Sequence, residues 1–346
     1  MPSGRHMKRL ESRPGGSGMA RLKISHKTVY RYREPVQFSE HRFMCRPRDS
    51  HDLRLLHTGI RIVPQPTVRW AHDVNANSIL VATFAEPADE LSFESTFVAE
   101  HFPVEPDVDM IEDYAERLPF SYEAREIPDL ARSIERHHAD PGHRVDAWVR
   151  AVCAEAGTDK TLDVLIAITR AIKAQFSYES RDEEGTRTPT ETLALGSGSC
   201  RDFALFMMEA VRSLGLAARF VSGYLYDDTL TDAAGGVVGG GATHAWVHVY
   251  LPGAGWLPFD PTNAIIGGRN LIRVAVARDP SLAVPLTGSY VGPKEAYLGM
   301  TVEVTVTVEP EADAAAADGD EPAAAQAGPA SVAAPAAAAV TAPDAA

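Results

Sequence analysis

Cysteine, histidine and aspartate can together form a nucleophilic triad, and this sequence places one of each at the end of a predicted element. Cys200 lies where the glycine-rich turn Gly196-Ser-Gly-Ser becomes a helix. The free amides and positive dipole end of a helix N-terminus favour a thiolate. His244 opens a predicted strand, and Asp260 closes the next one. Because neighbouring antiparallel strands lie about 5 Å apart, imidazole and carboxylate can meet across one ladder and supply base and orienting group.

Each of these residues also has an ordinary structural interpretation. Free cysteines are among the most buried residue types, a lone histidine on a strand is more often structural, and Asp-Pro is more often a turn. The conjunction of the three residues favours chemistry. The two other cysteines, Cys45 and Cys153, have only the structural interpretation.

Metal binding is the main competing chemistry. His244 and His248 are four residues apart on a strand, so their side chains point the same way about 13 Å apart, too far to share one zinc ion. The other candidate ligands lie in a polar stretch or lack the spacing of a calcium loop; they are His137, His138, His143, Asp227, Asp228 and Asp232. We therefore predict no metal and no cofactor.

The elements that must position the triad follow from hydrophobic periodicity. Apolar residues from Phe203 to Leu214 recur at helical spacing and Gly215 follows them, which predicts a helix between Gly196 and Leu214. Two more amphipathic helices are predicted at 145–155 and 162–176, the second capped by Thr161 or Asp159. Strands are predicted at 219–226, 243–251, 256–259 and 301–308. A helix before an antiparallel meander is typical of an α+β fold rather than a doubly wound parallel sheet.

Composition shifts divide the chain into four parts. Residues 1–21 are basic without an apolar segment and are interpreted as a disordered leader or expression scar. Short alternating strands at 22–105 predict an antiparallel β domain, with a sandwich as the expected form. Residues 106–309 are predicted to form the catalytic domain. The tail at 310–346 has 19 alanines among 37 residues, with prolines and acids, and is predicted to be disordered.

The composition also excludes several classes of function. A net charge of −14 without a basic stripe argues against nucleic acid as a partner. No apolar run approaches the roughly 20 residues of a transmembrane helix, so no membrane partner is expected. Three sparse cysteines fit a reducing compartment, which predicts a cytoplasmic location. The oligomeric state stays open.

Four motifs resemble the bacterial transglutaminase-like family, whose core is similar to papain-type cysteine proteases. They are Gly196-Ser-Gly-Ser-Cys200-Arg-Asp202, Gly215-Leu-Ala-Ala-Arg219-Phe-Val-Ser-Gly-Tyr224, Thr243-His-Ala-Trp-Val-His-Val-Tyr250 and Gly255-Trp-Leu-Pro-Phe-Asp-Pro-Thr262. More loosely, His26-Lys-Thr-Val-Tyr30-Arg-Tyr32 and Arg46-Pro-Arg48 resemble the β domain that precedes this core in many bacterial members. The chain departs from the family pattern at Ala217, where proline is frequent, and at Ala76, where glycine is frequent. These departures affect local turns and not the triad.

The resemblance implies a role for each site residue. Cys200 would be the nucleophile, His244 the base and Asp260 the orienting group. The oxyanion hole would combine the Cys200 amide with one side chain; a similar family segment nominates Tyr178, with Gln175 as second candidate.

The resemblance also implies a fold and an activity. It predicts an N-terminal antiparallel sandwich followed by a papain-like core. The expected activity is acyl transfer on amide bonds of a peptide or protein substrate through a thioester, with a cysteine protease or amidase favoured. The alternatives are a cross-linking glutamyl transferase, an arylamine N-acetyltransferase and a non-catalytic peptide-binding module. Arylamine N-acetyltransferases lack this β domain and the His-Ala-Trp-Val strand motif.

Overall fold

The computed structural model describes residues 20–103, 107–181, 185–226 and 243–309, which contain sixteen strands and five α-helices. The strands are β1 Ala20–Phe38, β2 His41–Phe43, β3 Leu53–Val63, β4 Thr67–His72, β5 Ser78–Thr83, β6 Ala88–His101, β7 Ser177–Tyr178, β8 Ser197–Gly198, β9 Ala218–Leu225, β10 Thr243–Leu251, β11 Gly255–Asp260, β12 Ile265–Ile266, β13 Leu271–Ala277, β14 Leu286–Thr287, β15 Tyr290–Val291 and β16 Tyr297–Glu309. The helices are α1 Ile127–Ile134, α2 Arg144–Ala156, α3 Thr161–Gln175, α4 Pro189–Leu195 and α5 Cys200–Ser213. None of these described helices combines the length and hydropathy needed to cross a lipid bilayer.

The N-terminal part folds into two antiparallel sheets. One has the order β15-β1-β6-β3, with β16 also paired to β1, and the other has the order β14-β2-β5-β4. A cluster of buried side chains from both sheets lies between them and includes Phe38, Phe43, Leu80 and Phe93. The alternation of buried and exposed residues along β6 follows the period of two that a strand with one buried face requires. The predicted N-terminal antiparallel domain is confirmed.

The C-terminal strands return to this N-terminal part. Strand β16 pairs along β1 from Arg21 opposite Glu309 to Tyr32 opposite Tyr297, and β14 pairs with β2. The range 106–309, predicted as one catalytic domain, therefore also supplies strands to the sheets of residues 22–105. Alternation predicted the strand at 301–308 but could not identify its partner, because pairing depends on contacts distant in sequence.

The turn between β4 and β5 has a backbone conformation at Ala76 that glycine adopts more easily than alanine. Ala76 adopts a left-handed φ of 59°. The Asp73 carboxylate accepts hydrogen bonds from the backbone amides of Asn75 (2.9 Å) and Asn77 (2.8 Å) and so fixes this turn. A residue with a Cβ pays about 1–2 kcal/mol in the left-handed region, whereas glycine does not.

We expect Ala76→Gly to raise the free energy of unfolding by up to about 1 kcal/mol, since relief of strain is partly offset by a more flexible unfolded chain. Urea unfolding of the parent and the variant measures this. Ala71→Gly in β4 is the control, because glycine inside a strand should destabilise. A less stable Ala76→Gly variant would contradict the expectation.

A third sheet has the order β12-β11-β10-β9-β13, and all its pairs are antiparallel. Helix α5 packs on it, with α2 and α3 outside α5, around one large apolar cluster that includes Phe203, Phe206, Val247 and Phe259. The α+β class and the predicted helix-on-antiparallel-sheet core are confirmed. One detail is wrong: the N-cap of α3 is Lys160, which makes no side-chain cap, and Thr161 instead donates to the Ala115 carbonyl at 2.6 Å.

Candidate functional site

Cys200 is the first residue of α5, and Ser199 is its N-cap. The turn before it is held by the short parallel pair of β7 with β8, in which Tyr178 lies opposite Gly198. The Cys200 side chain is 8% exposed and joins the apolar cluster beneath α5. As the first residue of the helix, Cys200 has a backbone N–H without an intrahelical acceptor. The thiol and a free amide therefore lie together at the helix N-terminus.

Asp202 fixes the geometry of this turn. Its buried carboxylate accepts from the backbone N–H (2.8 Å) and hydroxyl (3.0 Å) of Ser199. It also accepts from the backbone N–H of Arg187 (2.7 Å), and Nη1 of the Arg181 guanidinium donates to both of its oxygens, Oδ1 (2.9 Å) and Oδ2 (2.8 Å). The sequence analysis did not assign Asp202 a role, although an acidic residue three positions after a serine N-cap is a recognised signal.

His244 and Asp260 meet across β10 and β11. His244 Nε2 lies 2.9 Å from Asp260 Oδ2, and both side chains are fully buried. The Trp246 ring stacks near the imidazole, with centroids 6.1 Å apart. The structure therefore places the imidazole and carboxylate in direct contact, as the sequence analysis expected of neighbouring strands.

Asp260 is surrounded by donors from the segment that follows it. Its Oδ1 accepts from the Thr262 backbone N–H at 2.9 Å, and its Oδ2 accepts from the Asn263 side-chain amide at 2.9 Å. Burial raises the pKa of Asp260, but the charge of His244 and these hydrogen bonds hold it below the usual aspartate value. Asn263 was not identified from sequence; its position three residues after Asp260 was the available signal.

Cys200 approaches the same imidazole. Burial lowers the pKa of His244, but the Asp260 carboxylate and then the Cys200 side chain raise it, and the net pKa lies above the usual histidine value. Nδ1, on the other side of the ring from Asp260, is buried and makes no well-aligned hydrogen bond among the described residues. The three side chains thus lie together, with Nδ1 left to exchange a proton with the thiol or a reacting group.

The two candidates for the oxyanion hole lie in different surroundings. Tyr178 is 39% exposed, and partial burial together with the charge of Cys200 raises the pKa of its hydroxyl, so it lies beside the nucleophile. Gln175 lies at the end of α3, and its side-chain oxygen accepts from the Trp148 indole N–H at 2.8 Å. Tyr178 lies on β7 opposite Gly198, two residues before Cys200, whereas the side chain of Gln175 is engaged by Trp148.

The histidines considered as metal ligands have other contacts. His248 is buried with its Nδ1 at 3.3 Å from Arg219 Nη2. His137, His138 and His143 contact Arg278, Asp279 and Asp146 respectively. Among the described residues, no group of three or more histidine, cysteine or acidic side chains is placed to hold a metal ion. Asp227, Asp228 and Asp232 lie outside the described residues.

The three cysteines should react with iodoacetamide at different rates. Burial raises the pKa of Cys45 to about 12 and also raises the pKa of Cys153, which leaves Cys200, with its helix N-terminus and imidazole, as the reactive thiol. Site-by-site labelling across pH, quantified by mass spectrometry, should show Cys200 modified first near neutral pH. Equal rates at Cys45 and Cys200 would contradict this.

Comparison with known proteins agrees with this arrangement. The family model of the transglutaminase-like superfamily matches residues 146–261, and that of the bacterial transglutaminase-like N-terminal region matches residues 22–100. An uncharacterized protein of Mycobacterium tuberculosis is 30% identical over 300 residues, which cover 83% of this chain and 93% of that protein. The chain belongs to the transglutaminase-like superfamily. A second relative from Mycobacterium leprae, also uncharacterized, is 26% identical over 288 residues and is covered to 99%.

One solved structure shares the fold of this transglutaminase-like protein over most of its length. It is the crystal structure of a protein from Cytophaga hutchinsonii, described as a "putative cysteine protease". The TM-score is 0.62 at 19% identity, and the match covers 85% of this chain and 93% of that one. The likeness extends the shared fold beyond the core to the N-terminal sheets.

Proposed function

We propose that this protein is a cysteine-nucleophile acyl-transfer enzyme that cleaves amide bonds of a peptide or protein through a thioester. The observation that carries the proposal is the buried His244–Asp260 pair at 2.9 Å, set against the thiol at the N-terminus of α5. Nucleophile, base and orienting group on separate elements form the arrangement of a triad. Membership in the transglutaminase-like superfamily supports the same reading.

The proposed reaction has two halves. The Cys200 thiolate attacks the carbonyl carbon, and the backbone N–H of Cys200 with the Tyr178 hydroxyl stabilises the oxyanion that forms. His244, whose pKa is raised, holds the proton that the leaving amine takes as the C–N bond breaks. His244 then accepts a proton from water as that water attacks the thioester, which releases a carboxylate and the free thiol.

Hydrolysis is the favoured fate of the thioester. Water at ~55 M outcompetes an amine unless a site concentrates that amine, because positioning is what raises effective molarity. The glycine-rich segment 235–241, which precedes His244 in the sequence, lies outside the described residues. A cytoplasmic location and the absence of nucleic-acid and membrane partners stay predictions from composition.

Trapping the acyl-enzyme tests the proposal. The protein is incubated with a peptide library, quenched in acid and examined by mass spectrometry, with Cys200→Ala as control. We expect an acyl adduct on Cys200 in the parent alone. If peptides bind both proteins equally and no adduct forms, the chain is a binding module and the proposal is wrong.

The partition of the thioester is measured separately. A glutamine-containing peptide is incubated with millimolar labelled primary amine, and the deamidated or cleaved product is compared with the amine adduct. We expect the hydrolysed product to dominate. A dominant adduct would indicate an acceptor site and a cross-linking activity.

A further inference from the structure

Arg219 occupies an unusual position on β9. Its guanidinium lies 4.1 Å above the centre of the Trp256 ring, and its Nη2 donates to Nδ1 of the buried His248 at 3.3 Å. Its Nε is buried and has no hydrogen-bond partner among the described residues. Since the accepting imidazole nitrogen must be unprotonated, His248 is neutral and cannot balance the positive charge.

Carboxylates do not compensate this charge. No carboxylate in the described part of the chain lies within ion-pair distance of Arg219. Burial lowers the pKa of Arg219, and the charges of Arg273 and Arg48 lower it further. A guanidinium stays charged at neutral pH all the same, and neither the Trp256 ring nor the neutral His248 imidazole carries a negative charge that balances it. Within the described ranges, the charge of Arg219 therefore has no counterion.

A cavity opens beside this charge. It has a volume of about 670 Å³ and is lined by Arg219, Trp256 and Tyr250 from the sheet and by Arg278 after β13. The Arg278 guanidinium contacts Nδ1 of His137 at 3.3 Å. The volume falls within the range of small-molecule sites, which is about 300–1,000 Å³.

The other charges of the cavity wall are partly engaged. Arg125 and Arg132 have carboxylate partners, Glu123 and Glu135. Glu126 accepts from the Tyr250 hydroxyl at 2.7 Å, and Asp129 also lines the cavity. Arg219 and Arg278 line the cavity and form no ion pair with a carboxylate that the structure describes, so they define the positive part of the wall.

The cavity is separate from the triad. Arg212, near the C-terminal end of α5, donates to the carbonyls of Ser133 (3.0 Å) and Arg278 (2.7 Å), two residues of the cavity wall. Cys200 is at the opposite end of this helix, twelve residues away, which at 1.5 Å per residue is about 18 Å. A ligand in the cavity would therefore not contact the proposed nucleophile.

We propose that this cavity binds a small molecule through an oxyanion group, carboxylate or phosphate, held by the Arg219 guanidinium with Arg278 at its side. Nε is buried and one hydrogen of Nη2 is directed at His248, so Nη1 and the second hydrogen of Nη2 are the donors left for such a group. The Trp256 ring packs against the plane of the guanidinium, and the hydrogen bond to His248 fixes the position of Nη2. The site does not depend on the proposed acyl transfer.

Anion-dependent thermal stability tests the proposal in the full chain. Inorganic phosphate and succinate are the probes, each compared with sodium chloride at equal ionic strength. Both anions also stabilise proteins nonspecifically by exclusion from the surface, so the deciding quantity is the difference between the parent and Arg219→Met. We expect 10 mM phosphate or succinate to raise the melting temperature of the parent by about 2 °C more than that of the variant.

Three further variants complete the experiment. Arg54→Met, at an exposed arginine of β3, should keep the full anion effect. Arg219→Lys keeps the charge without the planar fork and should lose most of the shift; it also serves if Arg219→Met does not fold. A larger shift with succinate than with phosphate assigns the site to carboxylates, and the reverse assigns it to phosphates.

Two results would overturn the proposal. One is an equal anion shift in the parent, Arg219→Met and Arg219→Lys. The other is a melting temperature of Arg219→Met that, without added anion, lies several degrees below that of the parent. That result would mean that Arg219 stabilises the fold through its contact with Trp256. With an unoccupied site, removing the unpaired cation should instead leave stability unchanged or raise it.

Discussion

Asp260→Asn is expected to lower turnover about 10²–10⁴-fold while leaving the fold intact. An asparagine that keeps its oxygen toward the backbone N–H groups of Thr262 and Asn263 presents its amide N–H to His244, which reverses the tautomer of the ring. Without the carboxylate, burial governs the imidazole and its pKa falls, so the proton that the leaving amine needs is absent at neutral pH.

Two measurements check this expectation. One is turnover of the peptide identified by acyl-enzyme trapping, and the other is the pH profile of Cys200 alkylation, which should move when the pKa of His244 falls. The matched control is Asp279→Asn, which removes a carboxylate that faces His138 at 3.7 Å outside the site. Turnover and alkylation within twofold of the parent in Asp260→Asn would remove Asp260 from the proposed mechanism.

Glu209→Gln is expected to lower the free energy of unfolding by about 3–5 kcal/mol. Glu209 and Arg212 form an ion pair at 2.9 Å inside α5, and both side chains are fully buried. The Glu209 carboxylate also accepts from the His137 backbone N–H at 3.1 Å. Glutamine keeps the shape but removes the charge, and Arg212 is then a buried cation without a counterion.

Chemical denaturation of Glu209→Gln against the parent measures this loss. The control is Glu135→Gln, whose partner Arg132 is exposed, and no measurable change is expected there. Adding Arg212→Met to Glu209→Gln should recover much of the stability, because an apolar side chain of similar volume replaces the unpaired charge. If Glu209→Gln unfolds at the same denaturant concentration as the parent, the pair does not support the fold.

The elements predicted from the sequence agree best with the structure where the spacing of apolar residues within one segment determines the element. The apolar spacing from Phe203 to Leu214 predicted α5, and alternation predicted β16. Pattern missed α4, a helix of seven residues that ends at Gly196 in the left-handed conformation. Gly196 thus terminates one helix before the next begins, a role that a glycine-rich turn does not reveal.

The candidate site likewise contains residues that the sequence identifies and residues that only the fold reveals. Residue type and position at element ends were sufficient to nominate Cys200, His244 and Asp260. The contact of the Asp202 carboxylate with Arg181 could not be derived, because 21 positions separate the two residues and only the fold brings them together. Arg219 was read only as part of a family motif, since its lack of a carboxylate partner depends on three other elements.

The ladder between β1 and β16 cannot form until the ribosome has synthesised β16, long after β1. Strand β1 is complete when residue 38 has been made, but its neighbour begins at residue 297. At 5–20 residues per second, roughly 10–50 s pass during which one edge of β1 has hydrogen-bonding groups and no native partner. The intervening α/β core can assemble in that interval, so this edge is the surface most in need of protection from pairing with another nascent chain.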